Sequence, residues 1–283
     1  MSTAQFVDIS AWQPETIDWG AYRTWAKSFD GVSRVAIRSS YGYGYTDTHY
    51  TAYRAGALEA GIDVIIYYHY AYPQYNSPAA EAQWQRSVVG LIRPQDSILL
   101  DLEEQAPNVN NWAYEWLTRC EASYGKILAL YANDSYIRAY LQDTRLVRFP
   151  LFLANWQFSP TERPACPPPW TTYAYLQYTD RASIPGMPGP VDASLYFGLE
   201  AHVTEYQRAA FELEWRAVVP DVRLDSGIAN AAWEDYRQGI YHGPALSQEK
   251  AGYDWGGRPI LFQFTAGGRY QWEEGVAHFY PYT

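Results

Sequence analysis

The chain of 283 residues carries a net charge of −10, with a pI near 5.0 and only three lysines, which argues against a nucleic-acid groove built from clustered cations. Hydrophobic residues make up 48% and charged residues 18%, the balance of a folded chain long enough for one large core or a large and a small one. Its 12 Trp, 27 Tyr and 10 Phe exceed ordinary packing needs and suit stacking platforms, because an aromatic face can cover the apolar C–H face of a sugar.

In chain order, strand-like runs alternate with helix-like ones. Phe6 to Ile9 precedes a helix over 18–29, Arg34 to Arg38 one over 47–60, and Asp63 to Tyr68 one over 79–92. Ser97 to Asp101 is followed by 111–123, and Lys126 to Tyr131 by 134–142. Strict alternation predicts parallel strands joined by helical crossovers, and continuously apolar runs such as Val64-Ile65-Ile66 and Ile98-Leu99-Leu100 fit strands buried on both faces. Three further strands, Leu151 to Ala154, Tyr173 to Tyr178 and Val191 to Tyr196, have no helices between them, and five prolines over 157–170 enforce a loop. The expected fold is α/β, an irregular (β/α) barrel with helices missing in its last third; the alternative is an open doubly wound sheet, whose Gly-rich phosphate turn is absent.

From residue 199 the texture changes. An amphipathic helix over 199–217 is expected, then a Gly- and Trp-rich stretch with strands at Ile260 to Thr265, Arg269 to Glu273 and Val276 to Tyr280, turning at Gly267-Gly268 and Glu274-Gly275. The expected division is a barrel over 1–198 and a small α+β or β-rich unit over 199–283. The latter's aromatics, including Trp255, Phe262, Phe264, Tyr270, Trp272 and Phe279, suit either a binding surface or the unit's own core. Cys120 and Cys166 lack metal or disulfide-scaffold spacing and are expected to be free. No run of about 18 apolar residues suggests membrane insertion, and Met1 to Gln5 lacks the basic-then-apolar start of a signal peptide, so a cytoplasmic product is expected.

The most informative segment is Ile98-Leu99-Leu100-Asp101-Leu102-Glu103, where a buried apolar strand ends in two acids two residues apart, on one face. Asp8, within Phe6-Val7-Asp8-Ile9, and Asp192, within Val191-Asp192-Ala193, are also strand-borne acids. One such acid alone is commonly structural; four at one barrel mouth, with Arg38 the only obvious cation, form a carboxylate cluster in which at least one member must stay protonated. A protonated acid beside an ionised one is what glycoside cleavage requires. No lysine sits at a strand's C-terminal end for a Schiff base. The five histidines have no metal-binding spacing, and Gly-x-Ser-x-Gly and P-loop motifs are absent, so no metal or cofactor is expected. Tyr68, Tyr131, Asn155 and Trp156, at other strand ends, are candidate sugar contacts, whereas His69 suits a structural hydrogen bond.

Several segments in order resemble the glycoside hydrolase family 25 lysozymes of bacteria, fungi and phages. They are Asp8-Ile9-Ser10-Ala11-Trp12-Gln13, Ala60-Gly61-Ile62, Tyr68-His69-Tyr70, Asp101-Leu102-Glu103, Leu153-Ala154-Asn155-Trp156, Gln177-Tyr178 and Val191-Asp192, within residues 5–198. The resemblance implies cleavage of the β-1,4 bond between N-acetylmuramic acid and N-acetylglucosamine in bacterial peptidoglycan. Glu103 would be the general acid, Asp101 would orient the N-acetyl group or stabilise positive charge, and Asp8 and Asp192 would tune the field around them. Tyr41 stands where many members have Glu or Gln. An enzyme of this kind without an export signal would fit a phage endolysin released through a holin. A non-catalytic glycan-binding barrel and a glycosidase of chitin-like polymers are the competing readings.

Overall fold

The computed structural model describes residues 3–281 apart from 94, 126–127, 157–158, 199–211, 213–214, 217, 220, 238–244, 254–258, 266 and 274–275. The chain divides into two compact units, residues 1–202 and 203–283.

In the first unit the strands are β1 (Ala4–Ile9), β2 (Arg34–Tyr41), β3 (Tyr45–Thr46), β4 (Val64–Tyr70), β5 (Ser97–Asp101), β6 (Ala129–Asn133), β7 (Leu151–Ala154), β8 (Tyr175–Ala182) and β9 (Val191–Tyr196). The helices are α1 (Trp19–Asp30), α2 (Tyr50–Glu59), α3 (Pro78–Val89), α4 (Val109–Tyr124) and α5 (Asp134–Tyr140). Neighbours run β1-β9-β8-β7-β6-β5-β4-β2, and β1 also pairs with β2, so eight strands close into a barrel while β3 forms a hairpin on β2. After β6α5 no further α-helix separates the barrel strands among the described residues, the irregularity expected from the sequence.

Strand periodicity sorts the side chains into two cores. Phe6, Ala36, Ile66, Tyr68, Leu99, Tyr131, Phe152 and Tyr175 fill the barrel interior. The alternate residues Val7, Ile9, Val35, Ile37, Ile65, Ile98 and Leu100 pack outward against helix residues such as Tyr22, Tyr53 and Trp116. Helix starts follow local chemistry: the Asp18 carboxylate caps Ala21 N at 2.9 Å, and Ser77 precedes Pro78 and accepts from Ala80 N.

Three features go beyond the pattern read in the sequence. β9, one of the strands without a helix before it, is antiparallel to both β1 and β8. β2 runs past Arg38 to Tyr41 because the polar Ser39 and Ser40 are fully buried and hydrogen-bonded, Ser39 Oγ donating to Tyr68 O at 2.9 Å and Ser40 Oγ pairing with His69 Nδ1 at 2.9 Å. In the second unit, helix α6 (Gly227–Arg237) and strand β10 (Lys250–Tyr253) are additional elements.

The second unit is a four-stranded antiparallel sheet, β10, β11 (Pro259–Phe264), β12 (Gly268–Glu273) and β13 (Val276–Pro281), with α6. Trp215, Ile228, Ala232, Trp233 and Tyr270 form its core, with Trp272 and Phe279 packed against them, so three of the aromatics open to a binding role serve packing. The helix expected over 199–217 falls mostly outside the described residues, as do Trp255 and the Glu274-Gly275 turn. Cys120 and Cys166 are free, and no helix among the described residues is long and apolar enough to cross a membrane.

Tyr22 links the helix layer to the barrel: its fully buried hydroxyl accepts from Val7 N at 3.2 Å and donates to Arg34 O. Tyr22→Phe is expected to destabilise the protein by about 1–3 kcal/mol by stranding both buried backbone groups. The check is the shift of the urea midpoint, followed by near-ultraviolet circular dichroism.

Candidate active site

The interior-facing phase of the strands carries the site. β1 presents Phe6 and then Asp8; β2 presents Ala36 and Arg38; β4 presents Ile66, Tyr68 and Tyr70; and β5 presents Leu99 and Asp101, with Glu103 two residues on. Each strand thus changes from apolar to polar as it reaches the mouth. There a cleft of about 370 Å³ is lined by Asp8, Arg38, Tyr68, Asp101, Glu103, Tyr131, Gln177 and Asp192, with Leu99 and Phe152 among its apolar contacts. Asp192 sits at the start of β9, yet its antiparallel direction pairs Asp192 with Asp8 across the ladder. All four acids singled out in the sequence therefore meet, together with Tyr68 and Tyr131. Asn155 and Trp156 do not line the cavity. Asn155 N donates to Gln177 O at 2.9 Å, and the half-exposed Trp156 is tied by its indole to Gln177.

The acids form two pairs, each with its carboxyls within hydrogen-bond reach. Burial, then the charges of Glu103 and Asp8, push the Asp101 carboxyl well above the ordinary range, against a lowering pull from Arg38. Glu103 is also raised by burial, offset by the hydrogen bond it receives from Asp101. Burial and neighbouring charge thus favour the proton on the deeper Asp101, while Glu103 is the member exposed to solvent. The second pair repeats this arrangement. Asp8 is raised well above the ordinary range by burial and the neighbouring Asp192 charge; Asp192 is raised by burial, offset by the hydrogen bond from Asp8.

Gln177 organises the floor between the pairs and was passed over as a site residue in the sequence, where an amide carries no periodic or charge signal. Its Nε2 donates to both Asp8 oxygens at 3.1 Å, while its Oε1 accepts from Tyr131 OH at 2.9 Å and Trp156 Nε1 at 2.7 Å. The amide thereby fixes the Tyr131 hydroxyl as a donor. Burial and the surrounding carboxylates raise that phenol well above its usual range, so it stays protonated. Arg38 is the one cation among the described lining residues, and its Nε donates to the buried Asp47 at 2.7 Å. Asp47 also accepts from Ala11 N at 3.0 Å and His49 N at 2.9 Å, so the Arg38 side chain is held from behind. His69 lies outside the cleft lining and is fully buried, bonded to Glu81 at 2.8 Å and stacked on Trp116, the structural role expected for it.

A barrel mouth holding proton-sharing carboxyl pairs beneath aromatic walls has the parts of a glycoside hydrolase. The model of glycosyl hydrolases family 25 matches residues 7–187, more than half of the chain, and the chain belongs to that family. Lysozyme M1 of Streptomyces globisporus is 24% identical over 217 residues, spanning 71% of this chain and 70% of the relative. A bacterial lysozyme from Streptomyces coelicolor superposes with a TM-score of 0.59 at 22% identity, covering 73% of this chain and 99% of its own. The catalytic domain of endolysin ply40, from bacteriophage P40 of Listeria monocytogenes, has a TM-score of 0.57 at 24% identity, covering 72% and 97%. These structures share the barrel fold.

Asp101 couples the site to stability. Its folded pKa lies above the ordinary value of 3.8, so between the two the native state binds more protons than the unfolded chain. This contribution is complete below pH 3.8 and is lost as pH rises through the folded value. Asp101→Asn, neutral at every pH, is expected to gain on the wild type by about 1.4 kcal/mol per pH unit across that interval. Melting temperatures of both proteins from pH 4 upward measure the difference; a constant gap would contradict the assignment of the proton.

Proposed function

We infer that the protein is a peptidoglycan muramidase that cleaves the β-1,4 bond between N-acetylmuramic acid and N-acetylglucosamine, with Glu103 as general acid. The observation that carries this reading is the unequal Asp101 and Glu103 pair in the cleft lining: two adjoining carboxyls, both raised by burial, one buried and one exposed. Only the exposed member stands where a glycosidic oxygen can reach it. A sugar seated over Glu103 displaces water, which disfavours its charge and draws the shared proton outward from Asp101. Glu103 then delivers that proton as the glycosidic bond breaks.

Asp101, ionised once the proton has moved, faces the positive charge developing on the sugar. Asp8 and Asp192 keep the local field negative, while Tyr68 and Tyr131 supply ring faces and hydroxyls against the sugar. Every residue in this account lies within 1–198, the segment we assign to catalysis.

Glu103→Gln is expected to lower the release of reducing ends from purified peptidoglycan by about 10²–10⁴-fold while leaving glycan binding intact. Substantial retained lysis would remove Glu103 from the acid's role. Both carboxyls of the pair are raised, so the protonated, active form persists to higher pH than an isolated glutamate with its value of 4.5 would allow. The pH profile of kcat/KM on soluble peptidoglycan fragments should therefore fall on its alkaline side, with the limb above pH 4.5.

A further inference from the structure

Beside the carboxylate cleft, a run of aromatic rings spans two neighbouring loops. Tyr41, Tyr70 and Asp101 lie abreast at the ends of adjacent strands, because the register pairs Tyr41 with Tyr70 and Tyr70 with Asp101. Tyr70 lines the cleft, and from it the rings lead outward. Tyr41 lies 6.3 Å from Tyr70, Tyr72 lies 5.8 Å from Tyr41, and Tyr75 stacks on Tyr72 at 5.0 Å with 24° between the planes. Tyr45 packs on Tyr41 at 4.5 Å. The outermost ring, Tyr75, is 72% exposed, so the run ends on an open ring face continuous with the cleft wall.

The shelf is held rigidly from beneath. Fully buried Glu81 accepts from Tyr72 N at 3.1 Å, from Asn76 Nδ2 at 2.8 Å and from His69 Nε2 at 2.8 Å; His69 Nδ1 in turn pairs with Ser40, next to Tyr41. Gly42, at φ 52°, donates its N–H to Tyr70 O at 3.0 Å and passes so near Tyr72 that an added Cβ would sit 3.3 Å from the Tyr72 Cβ. The two loops are therefore locked to each other and to the cleft wall before any ligand arrives, which lowers the ordering cost of binding.

We propose that this tyrosine shelf is an additional sugar-binding site, an extension of the cleft that takes residues of the same glycan strand beyond those held at the carboxylates. Continuity with the cleft through Tyr70 selects the occupant: a chain lying over Asp101 and Glu103 that continues across Tyr70 meets Tyr41, Tyr72 and Tyr75. Tyrosines suit it, since ring faces cover sugar C–H faces and phenol hydroxyls bond to sugar hydroxyls and amides. The shelf rests on the muramidase reading for its substrate and makes the enzyme selective for long strands.

The test uses the full chain and the variants Tyr75→Ala and Tyr75→Phe, with long glycan strands stripped of their peptides and, separately, short muropeptide-derived oligosaccharides. Tyr75→Ala is expected to raise KM for long strands about fivefold with kcat unchanged, and to leave short oligosaccharides unaffected. Tyr75→Phe keeps the ring and should restore most of the loss. An unchanged KM on long strands or an equal loss on short ones would each overturn the shelf as a sugar site. Calorimetric binding of the same stripped strands to Glu103→Gln protein, with and without Tyr75→Ala, reads the shelf independently of cleavage. Equal affinity there, or no binding at all, overturns it. A wild type that binds long strands with the expected Tyr75 dependence but releases no reducing ends would retire the muramidase reading and leave the shelf standing.

Discussion

Repulsion among Asp8, Asp101, Glu103 and Asp192 is the constraint around which the barrel mouth is organised. Four carboxylates in one cleft cannot all be ionised at neutral pH with a single nearby cation, so protons are retained and each pair shares one. Burial decides where each proton rests: on Asp101 rather than Glu103, and on Asp8 rather than Asp192. The inner member of each pair is neutral and the outer one charged, which leaves the charge nearer water.

The neighbouring polar groups follow from this arrangement. Gln177 offers Asp8 two N–H bonds without adding a charge, and spends its carbonyl on Tyr131 and Trp156. Arg38 supplies the compensating cation, but Asp47 holds it, so it moderates the field without forming a direct ion pair with the acids. A freely mobile arginine in the same place would neutralise Asp101 and leave Glu103 no proton to receive. The buried His69 and Glu81 pair performs a separate task, bracing the two loops that carry the aromatic rings beside the cleft. Burying such a pair has a desolvation cost, met here by further hydrogen bonds from Tyr72, Asn76 and Ser40.

Much of this was legible in the chain itself. Alternating strand and helix patterns marked the five β-then-α units, and the acids at Asp8, Asp101 and Glu103 stood out because apolar strands rarely end in unpaired charge. Gln177 was not legible as a site residue, since its importance lies in contacts with Asp8 and Tyr131, 169 and 46 residues away. The continuation of β2 past Arg38 was equally obscure. Ser39 and Ser40 look like a polar end to the strand until Tyr68, His69 and Gln85 are seen to satisfy them.

The sequence by itself determined the order of strands and helices and put Asp101 and Glu103 on one face of their segment, because side chains alternate along an extended chain with period two. Only the tertiary structure decided the direction of β9. Asp192 begins its strand and would lie at the far end of a parallel barrel; running antiparallel between β1 and β8 brings it to the mouth opposite Asp8. Strand direction depends on how distant segments close the sheet, and no local pattern encodes it.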